Sequence, residues 1–583
     1  MYKTTINALF LSFLFCNAVA AQADSTFKFK PRPQEFELYG YQNDSLIQLK
    51  QIPNNAALTF ESKLPYPIIF IHGLNSSSET WNATTNYFDS QYAFTYGGRF
   101  DFCLNADGNN TTANKNFYPT PGADIAAFES SVTNGDYYYV NFNVKVDGSW
   151  ETNVLSNQSA IAKQGAALKK AVERVLQLTG KDKVVLVGHS MGGLCSREYI
   201  QNSFNWQADN YHHVAKLLTV GTPHGGSNAS DNPIAVFTSV DRQSEAVRDL
   251  KTTYYYSGDA GKFLFGGTEV LNSSSMNDNS YSPDFYNLDV NCNGVAGDAI
   301  QGLNQKPIDN LIDFSNVIGR ITNFIGTNVT TDGVVEEPSS NMNTYFPTLT
   351  YPAKIFYFNS GYDLIENHTE LPGYYYQIMQ GLDEPNFKEL AYEISTNKNY
   401  IGFTTVQANS SNPDNDYFKF NVADNVNATV LMSSIVTSSM NASILNSSGT
   451  AIGSAQNNTG STLSFTRTLE PGNYFLKITS TNPTNTNYQT PYQFSITSTL
   501  SAADNLIADF RFYPNPVKDI LHLDNLTITK ASVYSIVGQL IDEMEFTATT
   551  TSNTIDMSGY ANGIYLIKLQ NGNREQTVKV IKE

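Results

Sequence analysis

Between Val184 and Tyr199 the chain reads VVLVGHSMGGLCSREY. A run of apolar, mostly β-branched residues ends in a polar, glycine-rich knot around Ser190. At a sharp strand-to-helix turn a serine backbone is strained. A side chain two residues to either side would strike the strand or the helix, so Gly188 and Gly192 fit such an elbow. The elbow lifts the Ser190 hydroxyl clear of the sheet edge. It also leaves the Met191 N–H at a helix start, facing the place where an oxyanion would develop. Gly193 gives the helix room to lie against the sheet. A plain tight turn has the same local look, so partners decide. A serine hydroxyl is a weak nucleophile until a base takes its proton and an acid orients that base.

On an elbow of this kind the acid and then the histidine follow the serine along the chain. His212, His213, His224, His368 and His522 all follow Ser190. His212 and His213 precede the strand AKLLTV and are expected at the surface, at the wrong end of the strands. His522 falls in a separate C-terminal segment. His224, in TPHGGS, is a rival base, with Asp209 as its available acid. His368, in ENHTELPG, follows the strand KIFYF and its loop and is the expected base. Asp332, in TTDGVV, follows NVIGRITNFIG; its Asp-Gly turn suits a carboxylate folded back across the strand ends. Asp363 is the alternative acid, while Glu336, Glu337 and Glu366 read as solvated charges. A second oxyanion donor is expected from IIFIHGLNSSSETW, where Gly73 permits the bend that presents the Leu74 N–H. His72 reads there as a structural hydrogen-bonding residue.

These groups need a scaffold that delivers them to one edge. YPIIFIHG, DYYYVNFNV, DKVVLVGHS, AKLLTVGTPHGG and AKIFYFNSG read as strands, and Ser159 to Leu178 as a helix stopped by Gly180. DKVVLVGHS shows no alternation, as expected for a parallel strand covered on both faces. The repeated strand–helix–strand rhythm predicts an α/β fold with a mostly parallel sheet over residues 22–394. Residues 230–308 break the rhythm and are expected to form a lid-like insertion or a peripheral excursion. From Ser395 to about residue 500 helical periodicity disappears, and short alternating strands predict an all-β sandwich. A short SAADN linker leads to a last β-rich segment, residues 508–583.

At 583 residues the chain is too long for one core. Its net charge of −18 and the lack of a basic run exclude nucleic acid as a partner. Residues 1–21 read as a secretory signal: Lys3, an apolar stretch too short to span a bilayer, then Ala18-Val19-Ala20. No other apolar run approaches ~18 residues, so no transmembrane segment is expected in the mature chain. Cys195 is expected to be a buried thiol. Cys103 and Cys292, both in Asp/Asn/Gly loops, are a candidate disulfide. No cofactor is required. DVNCNG presents Asp289, Asn291 and Asn293 as the opening of a calcium loop, but Ile300 stands where the twelfth position needs an acid. Sequons at Asn75 and Asn367 flank the expected site, which argues for export from a cell that leaves sequons unglycosylated.

HGLNSSSETW, GHSMGGLCSREY, LLTVGTPHGGS, TTDGVV and NHTELPG, in that order, resemble α/β-hydrolase lipases and esterases. GHSMGG with TPHGG looks like both bacterial triacylglycerol lipases and the GPI inositol-deacylase type. The resemblance implies Ser190, Asp332 and His368 as a triad, with Leu74 and Met191 as oxyanion donors. Residues 395–500, with a Pro-Gly turn before NYFLKIT and a closing YQFSIT, resemble the pre-peptidase C-terminal domain family. Tyr513-Pro514-Asn515-Pro516, Tyr534 to Gly538, Gly563-Ile564-Tyr565 and the basic ending with Lys579 and Lys582 resemble the sorting domain of type IX secretion cargo. That resemblance implies the secretion machinery as a partner and export from a gram-negative cell, to the surface or the medium. The expected activity is a secreted serine hydrolase of carboxylic esters, a lipase first. A short-chain carboxylesterase, a GPI-inositol-deacylase-like enzyme or amidase, and an inert surface adhesin remain open.

Overall fold

The computed structural model describes residues 61–106, 126–229, 240, 244–250, 302–405, 413–500 and 511–583, with short gaps inside these ranges, and strands at 29–31, 39–42 and 45–48. Ten strands make one sheet: β1 (Phe29–Pro31), β2 (Ile68–Ile71), β3 (Tyr96–Cys103), β4 (Ala126–Glu129), β5 (Tyr137–Asn141), β6 (Val184–His189), β7 (Val214–Val220), β8 (Asp313–Thr322), β9 (Asn328–Val329) and β10 (Lys354–Ser360). The spatial order is β1-β4-β3-β5-β2-β6-β7-β8, with β9 and β10 both paired to β8. All pairings are parallel except β3 with β4 and β8 with β9. Strands β2, β5, β6 and β7 are buried at every residue, which is what their unbroken apolar runs require. β5 is shorter than DYYYVNFNV suggests. Asp136 turns its carboxylate onto the N–H groups of Lys63 and Thr95, and the Phe142 N–H leaves the ladder for His72.

Three helices follow key strands: α1 (Asn82–Tyr92), α2 (Ile161–Thr179) and α3 (Met191–Gln201). α2 ends where expected, with Gly180 at φ 65° and its N–H on the Leu176 carbonyl. Gly165 lets α2 and α3 touch: a Cβ there would come 2.7 Å from Cγ of Glu198. One face of the sheet buries Ile69, Tyr138, Leu168, Leu186 and Phe314. The other buries Phe70, Trp81, Phe88, Val187 and Leu218.

That second cluster continues into the following β-sandwich through Phe418, Val430, Leu476 and Phe494. The sandwich pairs a five-stranded with a four-stranded sheet between Tyr392 and Leu500, antiparallel except where Tyr392–Glu393 joins Asp414–Val422. Burial alternates along Asp414–Val422 and Val426–Ser433, as their sequences predict. Tyr66 and Tyr392 ring centroids lie 5.3 Å apart across the seam, and the Ile401 N–H donates to the Lys63 carbonyl. Residues 511–583 form three- and four-stranded sheets around their own core of Leu521, Ile555, Ile567 and Val580.

The signal segment and most of the 230–308 insertion lie outside the described residues, as do Asp289, Asn291, Cys292 and Asn293 and hence the candidate disulfide. Cys103 is buried at the end of β3, and Cys195 is a buried thiol on α3. The described helix Glu245–Leu250 of the insertion is anchored to the body. α2 has no side-chain cap of its own. Glu245 accepts from the Ala160 N–H and from Lys163, and Asp249 accepts from the Ile161 N–H, which sets two carboxylates on the positive end of α2. Among the described residues no helix is long and apolar enough to cross a membrane. Glu245→Ala should leave the buried Lys163 without its counter-charge and lower unfolding free energy by roughly 3–5 kcal/mol in urea titrations.

Candidate active site

Ser190 joins β6 to α3 at φ 52° and ψ −125°, a left-handed φ that side chains seldom adopt. Its N–H donates to the Val220 carbonyl at 2.9 Å. Gly188 and Gly192 are demanded by backbone, and Gly193 by the side chain of Thr222. A Cβ on Gly188 would lie 2.5 Å from the Gly193 nitrogen; one on Gly192 would lie 2.6 Å from the carbonyl oxygens of Ile71 and His72. A Cβ on Gly73 would meet Cβ of Ser190 at 2.7 Å, so the loop after β2 lies directly against the serine.

Met191 opens α3, so its N–H has no carbonyl one turn earlier to bond. The Leu74 N–H belongs to the peptide unit whose carbonyl is Gly73 O. His72 Nε2 accepts from the Phe142 N–H at 3.0 Å, so Nδ1 carries the hydrogen and donates to Gly73 O at 2.9 Å. Because the peptide is planar, fixing that carbonyl fixes the Leu74 N–H. Burial lowers the His72 pKa to about 4, so the ring stays neutral. Asn157 and Asn143 both donate to the Ser76 carbonyl and hold the rest of this loop.

His368 lies on α4 (Glu366–Glu370), in the segment after β10. Its Nδ1 is 2.7 Å from Oδ2 of Asp332, and both side chains are buried. A carboxylate accepts, so Nδ1 carries the hydrogen, and in the neutral ring Nε2 is the nitrogen with a free lone pair. Oδ1 of Asp332 accepts from the Val334 and Val335 N–H groups at 3.0 and 2.7 Å. The pair stands over Gly221, where a Cβ would be 3.1 Å from Asp332 Oδ2 and 3.2 Å from His368 Nδ1. Gly221 directly follows Val220, whose carbonyl holds the Ser190 N–H, so the C-terminal strand ends bring Ser190, Asp332, His368, Leu74 and Met191 into one neighbourhood. Glu337, expected as a solvated charge, instead forms a two-pronged ion pair with Arg320 at 2.7 Å, bracing the loop that carries Asp332.

The rival histidines are otherwise engaged. His224 is fully buried. Arg197 donates to its Nδ1, and its Nε2 faces the Thr219 hydroxyl. His212, expected at the surface, is fully buried at the opposite end of β7 because Asp309, from a distant segment, bonds its Nε2. His213 is half-buried between Asp182 and Asp209. Asp363 lies outside the described residues.

Residues 65–253 match the family model of the PGAP1-like alpha/beta domain, and residues 511–583 that of the secretion system C-terminal sorting domain. The chain carries a PGAP1-like α/β-hydrolase domain and a C-terminal sorting domain. A 68-residue stretch is 44% identical to triacylglycerol lipases of Pseudarthrobacter phenanthrenivorans and Burkholderia plantarii; it covers 12% of this chain and 19% and 17% of theirs. The chain thus spans under a fifth of the length of these curated relatives. Among solved structures, the mature lipase of Bacillus licheniformis aligns with 56% of this chain and 95% of its own, at 17% identity and TM-score 0.26. The pre-peptidase C-terminal domain of a Bacillus anthracis collagenase aligns with 20% of this chain and 99% of its own, at 17% identity and TM-score 0.16.

Two groups in and beside the hydrolase domain escaped the sequence reading. Asp383, Glu384 and Asp416 place one oxygen each within 4.8 Å of one another at the seam with the sandwich. Oδ1 of Asp383, Asp414 and Asp416 is buried without a hydrogen-bond partner among the described residues. Such an all-oxygen set could hold a hard cation. It lies by Lys216 and Lys354, near the N-terminal strand ends and away from Ser190. Acids on the inward face of an alternating strand, Asp414 and Asp416, were the available signal. Glu79, just past the Leu74 loop, is also buried with neither carboxylate oxygen bonded among the described residues. Burial raises its pKa from 4.5 to about 7, against the pull of Arg99. Between those values the folded chain holds a proton that the unfolded chain has released. The resulting stability is full below pH 4.5 and lost as pH rises through about 7. Glu79→Gln should remove this dependence. Its stability relative to wild type should climb by on the order of 2 kcal/mol from about pH 5 to about pH 8, read by chemical unfolding at each pH.

Proposed function

We propose that the protein is an exported serine hydrolase of carboxylic esters, with lipid esters such as triacylglycerols as its substrates. The bond between His368 Nδ1 and Asp332 Oδ2, beside the Ser190 elbow, carries this reading. Ser190 Oγ attacks the acyl carbon while His368 Nε2 takes its proton. Asp332 holds the Nδ1–H tautomer and stabilises the imidazolium that forms. The Leu74 and Met191 N–H groups receive the negative charge of the tetrahedral oxygen. His368 then gives its proton to the departing alcohol oxygen. Water, activated by the same nitrogen, attacks the acyl-serine and releases the carboxylic acid. Identity to triacylglycerol lipases over 68 residues supports lipid esters as the substrate class.

The domain plan that goes with this activity is a signal at 1–21, the hydrolase at 22–394, the sandwich at 395–500 and the sorting domain at 508–583. The sorting domain supports delivery by a type IX pathway to the surface of a gram-negative cell or beyond it. One observation favours a second reading. The PGAP1-like match, residues 65–253, is far longer than the stretch shared with lipases, which favours a glycolipid deacylase.

Ser190→Ala should abolish turnover of p-nitrophenyl esters while the protein stays folded. Asp332→Asn, which loses the tautomer but keeps the shape, should lower kcat by roughly 10⁴-fold. Turnover by the alanine variant at the wild-type rate would remove the central assignment. Rates on esters of rising chain length separate the two readings: a rise with long acyl chains indicates a lipase, and a fall beyond short chains an esterase or head-group deacylase.

A further inference from the structure

His189, the neighbour of Ser190 within the elbow, has no part in the mechanism above. We propose that His189 is a positioning residue that ties the base-bearing segment to the nucleophile strand and so keeps His368 in reach of Ser190. The proposal rests on the roles given to Ser190 and His368 above.

His189 is the last residue of β6 and is buried. Its Nε2 lies 2.9 Å from the carbonyl oxygen of His368. A carbonyl only accepts, so Nε2 carries the hydrogen and Nδ1 is bare. Nδ1 is buried and has no hydrogen-bond partner among the described residues; a Cβ on Gly73 would stand 3.3 Å from it. The rings of His189 and His368 are 4.9 Å apart and inclined at 40°, and Trp81 meets the His189 ring at 90°.

The segment being held cannot hold itself. α4 has five residues, little more than one turn, and a helix that short gains nothing from its own ladder. The ring of His368 is tied to Asp332, and Asn367 donates to the Arg320 carbonyl. Arg320 is on β8, and Asp332 follows β9, the short strand paired to β8. The bond from His189 references the same segment to β6, the strand that ends on Ser190. Errors in the β6–β8 spacing are thereby kept out of the distance from nucleophile to base. A misplacement of about 1 Å between reacting groups costs on the order of 10²-fold in rate.

The tie also has to survive the catalytic cycle. His368 becomes a cation when it takes the serine proton, and a second cation 4.9 Å away would oppose that step. Burial first, and then His368 itself, hold the His189 pKa well below the ordinary histidine range, with His72 adding to the effect. His189 therefore remains neutral and donating throughout.

Two substitutions separate positioning from mere filling of space. His189→Phe keeps an aromatic ring against Trp81 and loses the donor. His189→Gln places an amide N–H near the position of Nε2. Both are assayed in the full-length protein for kcat and KM on a soluble p-nitrophenyl ester, with thermal unfolding followed in parallel. H189F should lose about tenfold in kcat, the worth of one hydrogen bond, with KM within about twofold of wild type. H189Q should recover most of it. An H189F variant as active as wild type, or equal losses in both variants, would overturn the proposal. Should neither variant fold, the ring carbons of His189 in the wild-type protein carry the test by NMR. The neutral Nε2–H tautomer across about pH 5 to 8 supports the tie; the Nδ1–H form, or titration in that range, contradicts it. Ser190→Ala distinguishes the two levels of failure. Activity retained there sinks the nucleophile assignment, whereas an inactive S190A beside a fully active H189F sinks only the role of His189.

Discussion

A serine forced to positive φ organises the whole edge on which the candidate site lies. Backbone strain of this kind costs on the order of 1–3 kcal/mol and persists only where the surroundings over-determine it. Here they do. The Ser190 N–H is taken by Val220 on β7, and the backbone of β2 crowds Gly192 so closely that no side chain fits. The parallel register sets Ile71 opposite Gly188 and His189 opposite Val220. The loops leaving β2 and β7 therefore start beside the serine, with no freedom to start elsewhere. Leu74 and Gly221 owe their positions to that register, and Asp332 and His368 are packed onto Gly221 in turn.

Histidines do most of the local fixing, and each does so through a settled tautomer. His72 holds the Gly73 carbonyl and so aims the Leu74 N–H. His224 accepts from Arg197 and is closed on its other side by Thr219. His212 is pinned between Asp309 and the Val214 N–H. With both nitrogens engaged, none of these three is free to take a proton from serine. His368 has one nitrogen committed to Asp332, which leaves the other for the division of labour a general base requires.

The parts that were legible in the sequence are those whose cause is local. Glycines at 188 and 192 announce close backbone approach, Gly193 leaves room for the Thr222 side chain, and unbroken apolar runs announce strands covered on both faces. Strand order narrowed the loops that could reach His368 but left Asp363 beside Asp332, and the bond from His368 Nδ1 to Asp332 separates the two. What was not legible depends on partners far along the chain. His212 looked like a surface residue because nothing near it reveals Asp309. Glu337 looked solvated because its partner, Arg320, lies across a turn on β8. The acid cluster at the sandwich seam joins Asp383, which follows the last strand of the α/β sheet, to Asp416 on a strand of the sandwich. The anchoring of α2 by Glu245 and Asp249 was hidden for the same reason: the helix lacks a cap of its own, and its cap comes from an insertion.

Everything proposed for this edge requires Ser190 to be an activated nucleophile. The most direct measurement is covalent labelling of the full-length protein by a fluorophosphonate, followed by peptide mass mapping. One adduct on the peptide containing Ser190 is expected, formed far more slowly in His368→Ala. No adduct, an adduct on another residue, or labelling of the His368→Ala variant at the wild-type rate would contradict it.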